Sequence, residues 1–293
     1  MTAPYRSLGP VIPARPVLLS SPHSGTHLPE RFRAQTSLSR LELLQFGDAH
    51  VDALLADASD RGLPLLSANH ARAVCDLNRS EAELDRSLFD GPLDLPVQLT
   101  DSVRAGYGVI PARIAPDRAI YRAPLPAAEA RRRIEALHRP WHAALGRRLA
   151  ALAEVHGAAV LVDCHSMPSL AGTALGPAPQ IVLGDLFGRS AAAPLVDLLH
   201  QLLAARGLRV ARNQPYAGGH ITRRHANPAQ GIHVIQVEID RALYMDQQTL
   251  EPAPGFAAVR RLLAEVLLAF ADGAGGLLPH LKAGCASLPL AAE

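Results

Sequence analysis

Two stretches of this chain share one design, an apolar run of strand length that delivers a histidine. Pro16-Val17-Leu18-Leu19-Ser20-Ser21 leads into Pro22-His23-Ser24-Gly25, and Ala158 to Val162 leads into Asp163-Cys164-His165-Ser166. A short, β-branched apolar run bounded by polar residues is the pattern of a buried strand in a parallel sheet. In open α/β sheets, ligands bind in the crevice beyond the carboxyl ends of the strands. The two histidines are therefore predicted at strand exits that face a common site.

The remaining segments alternate in the same sense. Residues 38–45 have helical content, and Gly47-Asp48 opens a helix over 49–61. Val51, Leu54, Leu55 and Ala58 give that helix an apolar face, and Gly62 closes it. Strands are expected at 64–67, 73–77, 181–183, 208–211 and 233–240. Helices are expected over 127–154 (kinked or split by Pro140), 191–206 and 257–271. Residues 80–124 are irregular, as functional or mobile segments often are. Residues 216–227 read as a Gly- and His-rich loop, and the tail from Gly273 as loosely held. The expected fold is a single α/β domain over residues 1–293, its core at about 16–272, with a mostly parallel or mixed central sheet flanked by helices.

Composition narrows the function classes. A net charge of +2 supplies no strong field toward nucleic acid or membrane. An apolar fraction of 48% and a charged fraction of 19% describe a folded globular chain. No apolar run of about 18 residues is apparent, so no membrane span is expected. Prolines interrupt the N-terminal residues where a signal peptide needs an apolar helix. Cys75, Cys164 and Cys285 are odd in number, widely spaced and without a CxxC, which suits reduced thiols and a cytoplasmic setting.

Neutral imidazole is a common zinc ligand, and a catalytic zinc keeps three protein ligands and one open position. His23 and His165 supply two. Asp48 is the best candidate for the third, with His27, Glu30, His50 and Asp52 as rivals. Asp163, two residues before His165, points to the same side of an extended strand and suits a partner that orients an imidazole. Among 13 histidines most are structural or surface residues, and the matched strand exits set these two apart. Glu238 lies in the strand IHVIQVEID, on the face shared with Val234, Gln236 and Asp240. A carboxylate so placed is either paired with an arginine or a general base, and spacing alone supports both equally. Asn78-Arg79 and Arg223 read more readily as surface residues, with a guanidinium holding a substrate carboxylate as the functional alternative. Ser24 and Ser166 sit in no G-x-S-x-G elbow, and no phosphate-binding glycine motif is present.

Six motifs stand in order: Ser21-Pro22-His23-Ser24-Gly25, Gly47-Asp48-Ala49-His50-Val51-Asp52, Asp76-Leu77-Asn78-Arg79, Asp163-Cys164-His165-Ser166, Gly218-Gly219-His220-Ile221-Thr222-Arg223 and Val237-Glu238-Ile239. Together they resemble the N-formylglutamate amidohydrolase (deformylase) family, from about residue 16 to about 270. The resemblance implies a fold like the zinc carboxypeptidases and aspartoacylases. It also implies one zinc ion and hydrolysis of N-formylglutamate to glutamate and formate, as in histidine degradation. His23 and His165 would be ligands, Glu238 the base, and Arg79 with Asn78 the holder of the substrate carboxylate. The carboxypeptidase H-x-x-E spacing is absent, since Thr26 stands three residues after His23, and Asp48 is chosen by motif position and chemistry. The 218–225 loop departs from the family pattern, with His220 where an aromatic is usual and Arg224 before His225. Two other readings remain open: a deacylase or carboxypeptidase of the same fold acting on another N-acyl amino acid or peptide, and a non-catalytic dicarboxylate-binding protein.

Overall fold

A computed structural model describes residues 2–11, 13–172 and 177–285. Seven strands form its main sheet: β1 (Tyr5–Leu8), β2 (Val17–Ser21), β3 (Leu65–Ala68), β4 (Ala159–Met167), β5 (Ile181–Gly184), β6 (Val210–Arg212) and β7 (Ile232–Asp240). Their order across the sheet is β1-β3-β2-β4-β7-β5-β6. The central strands β3, β2, β4 and β7 run parallel, whereas β1 is antiparallel to β3 and β5 to β7. The sheet is thus mixed, and helices cover both of its faces. These helices are α1 (Arg40–Gln45), α2 (Val51–Leu54), α3 (Ala56–Asp60), α4 (Ala128–Arg133), α5 (Arg139–His156), α6 (Ala193–Ala204), α7 (His220–His225) and α8 (Phe256–Cys285).

Side-chain alternation along the central strands sorts the core into two layers. Val17, Leu19, Val160, Val162, Ile235 and Val237 pack on one side against α2, α3, α6 and α8. Leu18, Leu161 and Val234 face the other side, under α5 and the segment between β3 and α4. That segment is irregular, as expected, yet it is packed: Leu84, Val109, Ile110 and Ile120 are fully buried in this second layer.

Several expectations are corrected. Residues 73–77 are buried but form no strand, because β3 is already paired on both edges, by β2 and β1. Their backbone instead meets Arg133 Nη1, which donates to Val74 O at 3.2 Å, and Val109 O, which accepts from Asp76 N at 2.9 Å. The helix over 49–61 is broken in two, with His50 left-handed at φ 64° ahead of α2. Residues 220–225 form α7 inside what reads as a loop. The helical run over 128–156 is interrupted just before Pro140, which stands in the first turn of α5. A turn of π-helix, Ile134–His138, sits between α4 and α5 and accommodates the helix where Pro140 has no N–H to give.

The tail is corrected as far as residue 285, and residues 286–293 lie outside the described residues. α8 runs on through Gly273, where an added Cβ would stand 2.7 Å from the Leu198 side chain. The glycine is there for close approach to α6 rather than to end the helix. Phe256–Pro279 is, after all, long and apolar enough to cross a membrane, with mean hydropathy 1.5, but half of its apolar window is buried inside the protein. Val266, Phe270, Ala271 and Ala274 pack it into the first core layer.

Candidate metal centre and substrate cleft

At the carboxyl ends of three neighbouring strands, the second face of the sheet turns from apolar to polar. Along that face Leu18 is followed by Ser20 on β2, Leu161 by Asp163 and His165 on β4, and Val234 by Gln236 and Glu238 on β7. The β2–β4 ladder ends at Ser20 and Asp163. Beyond it β2 peels away into the His23 loop, while β4 stays paired with β7 and sets His165 opposite Glu238. Cys164 points the other way, into the first core layer, as alternation requires.

His23, Asp48 and His165 each offer one ligand atom within 4.8 Å of the other two, and all three residues are buried. Asp48 Oδ2 lies 3.2 Å from His23 Nδ1 and 3.0 Å from His165 Nδ1. Each ring is held from behind. Nε2 of His23 donates to Asp76 Oδ1 at 2.8 Å, and Nε2 of His165 donates to Asp163 Oδ2 at 3.0 Å. A carboxylate behind Nε2 pins ring orientation and turns Nδ1 toward the centre. The supporting carboxylates are themselves fixed: Arg72 Nε donates to Asp76 Oδ2 at 2.9 Å, and Ser20 Oγ to Asp163 Oδ1 at 2.6 Å.

Asp48 is placed by backbone and side chain together. Its N–H donates to His23 O at 3.0 Å. The preceding Gly47 permits that approach, because a Cβ there would stand 2.8 Å from the same oxygen. Ser166 Oγ donates to Asp48 Oδ1 at 3.1 Å, and Arg241 Nη2 reaches it at 3.3 Å while also donating to Gly47 O at 2.6 Å. Oδ1 is thereby occupied and Oδ2 is left facing the histidines. The rival ligands are engaged elsewhere or lie apart: His50 Nε2 donates to Leu250 O at 2.8 Å, Asp52 pairs with Arg6, His27 stacks edge-on against His70, and Glu30 is exposed.

Electrostatics follow from this burial. Burial opposes ionisation of Asp48, but hydrogen bonds from His165 and His23 hold its carboxyl well below the usual range. Burial likewise works against a charged His165, yet Asp163 and the Asp48 hydrogen bond raise it well above an ordinary imidazole. Burial pushes Glu238 up to about 7, with the Asp48 charge adding to the effect and His165 opposing it. Two pinned imidazoles and one carboxylate are a donor set that suits zinc with an open coordination position.

The centre opens into a cleft of about 440 Å³ whose walls include Arg72, Asn78, Arg79, Tyr216, Glu238 and Arg241. That volume is in the range of small-molecule sites. A larger cavity of about 610 Å³ shares only His23 with this cleft and lies outside the buried polar cluster. Gln236 Nε2 donates to Glu238 Oε1 at 2.9 Å, and the other carboxylate oxygen has no protein partner among the described residues. Arg79 Nε donates to Tyr107 O at 3.0 Å, and Arg72 Nε is taken by Asp76. The Nη groups of both arginines have no hydrogen-bond partner among the described residues. Asn78 Nδ2 stands 3.3 Å from His165 Nε2, and its Oδ1 accepts from Ile221 N at 2.8 Å. Gly219 has to lack a side chain here, since a Cβ would come within 2.3 Å of the Asn78 amide.

The sequence signature of the N-formylglutamate amidohydrolase family matches residues 15–245. The chain belongs to the N-formylglutamate amidohydrolase family. It is 32% identical to the N-formylglutamate deformylase of Pseudomonas putida, over 79% of this chain and 82% of that one. It is 33% identical to the deformylase of Pseudomonas aeruginosa, over 87% and 93%. The crystal structure of an N-formylglutamate amidohydrolase from Ralstonia eutropha superposes with a TM-score of 0.86 at 33% identity, covering 97% of this chain and all of that one. A gene product of Agrobacterium tumefaciens shares the fold at a TM-score of 0.67 and 20% identity.

Against that family background, the structure brings His23, Asp48, His165, Glu238, Asn78 and Arg79 to one cleft. It does not bring Arg223 there. Arg223 is on the exposed side of α7, and its Nη1 reaches only Gly218 O at 3.4 Å. Sequence reasoning missed Asp76, which holds His23 from behind, and the cleft residues Arg72, Gln236 and Arg241. Asp76 lies inside the motif Asp76-Leu77-Asn78-Arg79, so its position was in view and its role was not. Arg241, the first residue after β7, had the same strand-exit setting as His165.

Proposed function

We propose that this chain hydrolyses the formyl amide of N-formyl-L-glutamate, giving L-glutamate and formate, with one zinc ion held by His23, Asp48 and His165. The observation that carries this reading is the convergence of His23 Nδ1, His165 Nδ1 and Asp48 Oδ2 beside the buried Glu238, in a member of an amidohydrolase family. A zinc ion held by these three residues would lower the pKa of a water and polarise the amide carbonyl. The remaining work falls to the chain. Glu238 takes a proton from the attacking water as oxygen adds to the formyl carbon, and gives it to the nitrogen as the C–N bond breaks. Gln236 holds Oε1 of Glu238, which leaves Oε2 to carry that proton.

Arg79 and Arg72 bind the two carboxylates of the substrate through their Nη groups, and so place the formyl amide at the centre. Two such ends match a dicarboxylic amino acid better than a neutral one. Ser166 is not the nucleophile in this scheme, since it lies between Asp48 and Arg241 with no imidazole to take its proton. The implied setting is a cytoplasmic step of histidine degradation.

Formate release from N-formyl-L-glutamate, measured before and after chelation and zinc re-addition, tests the reading. Activity lost on chelation and restored by zinc supports both substrate and metal. Zinc bound at one equivalent without formate release rejects the substrate and points to another N-acyl amino acid. Turnover that survives complete metal removal rejects the metal centre.

A further inference from the structure

On the far side of the Asn78-Arg79 segment from the cleft, four imidazoles pack together. His138 ends the π-helical turn, His142 follows four residues on in α5, and His220 and His225 are the first and last residues of α7. Ring centroids of His138 and His142 are 4.3 Å apart, those of His142 and His220 5.2 Å, and those of His138 and His220 6.0 Å. One ring nitrogen each from His138, His142 and His220 lies within 4.8 Å of the other two.

Their tautomers are readable from the backbone. His138 Nε2 donates to Arg79 O at 2.8 Å and His142 Nε2 to Leu77 O at 3.0 Å. A neutral imidazole has one N–H, so Nδ1 of both rings is a lone pair. His138 Nδ1 and His220 Nε2 are buried without a hydrogen-bond partner, and His138 is only 1% exposed. Orphaned buried nitrogens of this kind are rare in protein interiors and require an explanation. Burial, with Arg224 adding to it, drives all four imidazoles down, and neighbouring rings add further at His142, His220 and His225, taking His220 to about 3 and His225 to about 4. The rings are therefore neutral at physiological pH, the form that binds metal.

We propose that His138, His142 and His220 form a second metal site for a zinc-like divalent cation, separate from the His23–Asp48–His165 centre. Two nitrogens on a tetrahedral zinc are about 3.3 Å apart, so modest closure of the three rings suffices. The backbone carbonyls behind His138 and His142 orient them as such carbonyls do for ligating histidines. His225 Nε2 now donates to His142 Nδ1 over 2.9 Å. Metal uptake displaces this bond, and the partly exposed His225 ring turns toward solvent. The ion fastens the π-helical turn and α5 to the start of α7. Through Leu77 O, Arg79 O and the Ile221 N–Asn78 Oδ1 bond, it also steadies the cleft wall that bears Asn78 and Arg79.

Cobalt titration of the metal-stripped full-length chain, followed by visible d–d absorption, tests this. The wild-type chain takes up two equivalents. His220→Phe and His138→Phe each take up one, and His165→Ala retains the equivalent that those variants lose. Should a phenylalanine variant lose its native circular dichroism, His220→Gln, at a partly exposed ring, supplies the comparison. The proposal is overturned if His138→Phe and His220→Phe, or His220→Gln, bind as much cobalt as wild type. A wild type that binds one equivalent, lost in the His220 variants and kept in His165→Ala, upholds this site and rejects the metal centre of the proposed reaction.

Discussion

Asp76 Oδ1 lies 2.8 Å from His23 Nε2, behind the ring and fully out of solvent. Burial opposes its charge, yet Arg72 and His23 keep its carboxyl well below the usual range, so it is an ionised anchor behind an imidazole. Partners of this kind typically change metal affinity or activity by about 10- to 100-fold when removed. Asp76→Asn is expected to weaken zinc retention by that order. Competition with a chromophoric chelator measures it, and unchanged affinity would show that Asp76 serves only the fold.

Glu238→Gln keeps the shape of the side chain and the bond from Gln236 while removing the base. A loss of about 10²- to 10⁴-fold in kcat is expected, with little change in KM. The same carboxylate sets the acid limb of the pH profile. Burial raises it to about 7 in the metal-free chain, and a bound metal beside it lowers it from there; since it must be ionised to accept a proton, kcat/KM falls as pH drops below that range. A wild-type profile that is flat across the same interval argues against Glu238 as the base.

Metal uptake at His23, Asp48 and His165 is expected to release protons. In the metal-free chain His165 is held well above its ordinary value by Asp163 and Asp48, against the cost of burial, so it carries a proton at neutral pH. Coordination requires the neutral ring. The sign is therefore acidification on zinc addition and an affinity that rises with pH. Calorimetry in buffers of different ionisation enthalpy reads this directly, and an enthalpy independent of buffer would contradict it.

Arg79→Gln removes, from a residue of the cleft wall, an Nη pair with no partner among the described residues. Hydrogen bonds to charged groups contribute roughly 1.5–3 kcal/mol, so kcat/KM for N-formylglutamate is expected to fall by about 10- to 100-fold. Arg79→Lys should not restore it, since an ammonium cannot make the paired contact of a guanidinium. Full activity in either variant would remove Arg79 from carboxylate binding and leave Arg72 as the guanidinium that carries it. Arg223→Gln, on the exposed side of α7, is expected to leave KM unchanged.

Local pattern alone determined a good deal of this molecule. Val17–Ser21, the strand carrying His165 and the strand carrying Glu238 are legible because apolar runs and two-residue alternation depend only on near neighbours. Those same rules put His23, His165 and Glu238 at one end of one sheet. What they do not carry is the partner of each polar group. The Ala73–Leu77 segment has strand composition, but whether it pairs depends on a free sheet edge, and β1 had taken it. Gly273 has the composition of a helix end, and only the Leu198 side chain of a distant helix shows that it is a contact. Asp76 behind His23, Arg241 on Asp48, and the meeting of His138 and His142 with His220 join residues far apart in sequence. Periodicity has no term for such pairings, because hydrogen bonds and ligand geometry at long range are set by how the layers pack.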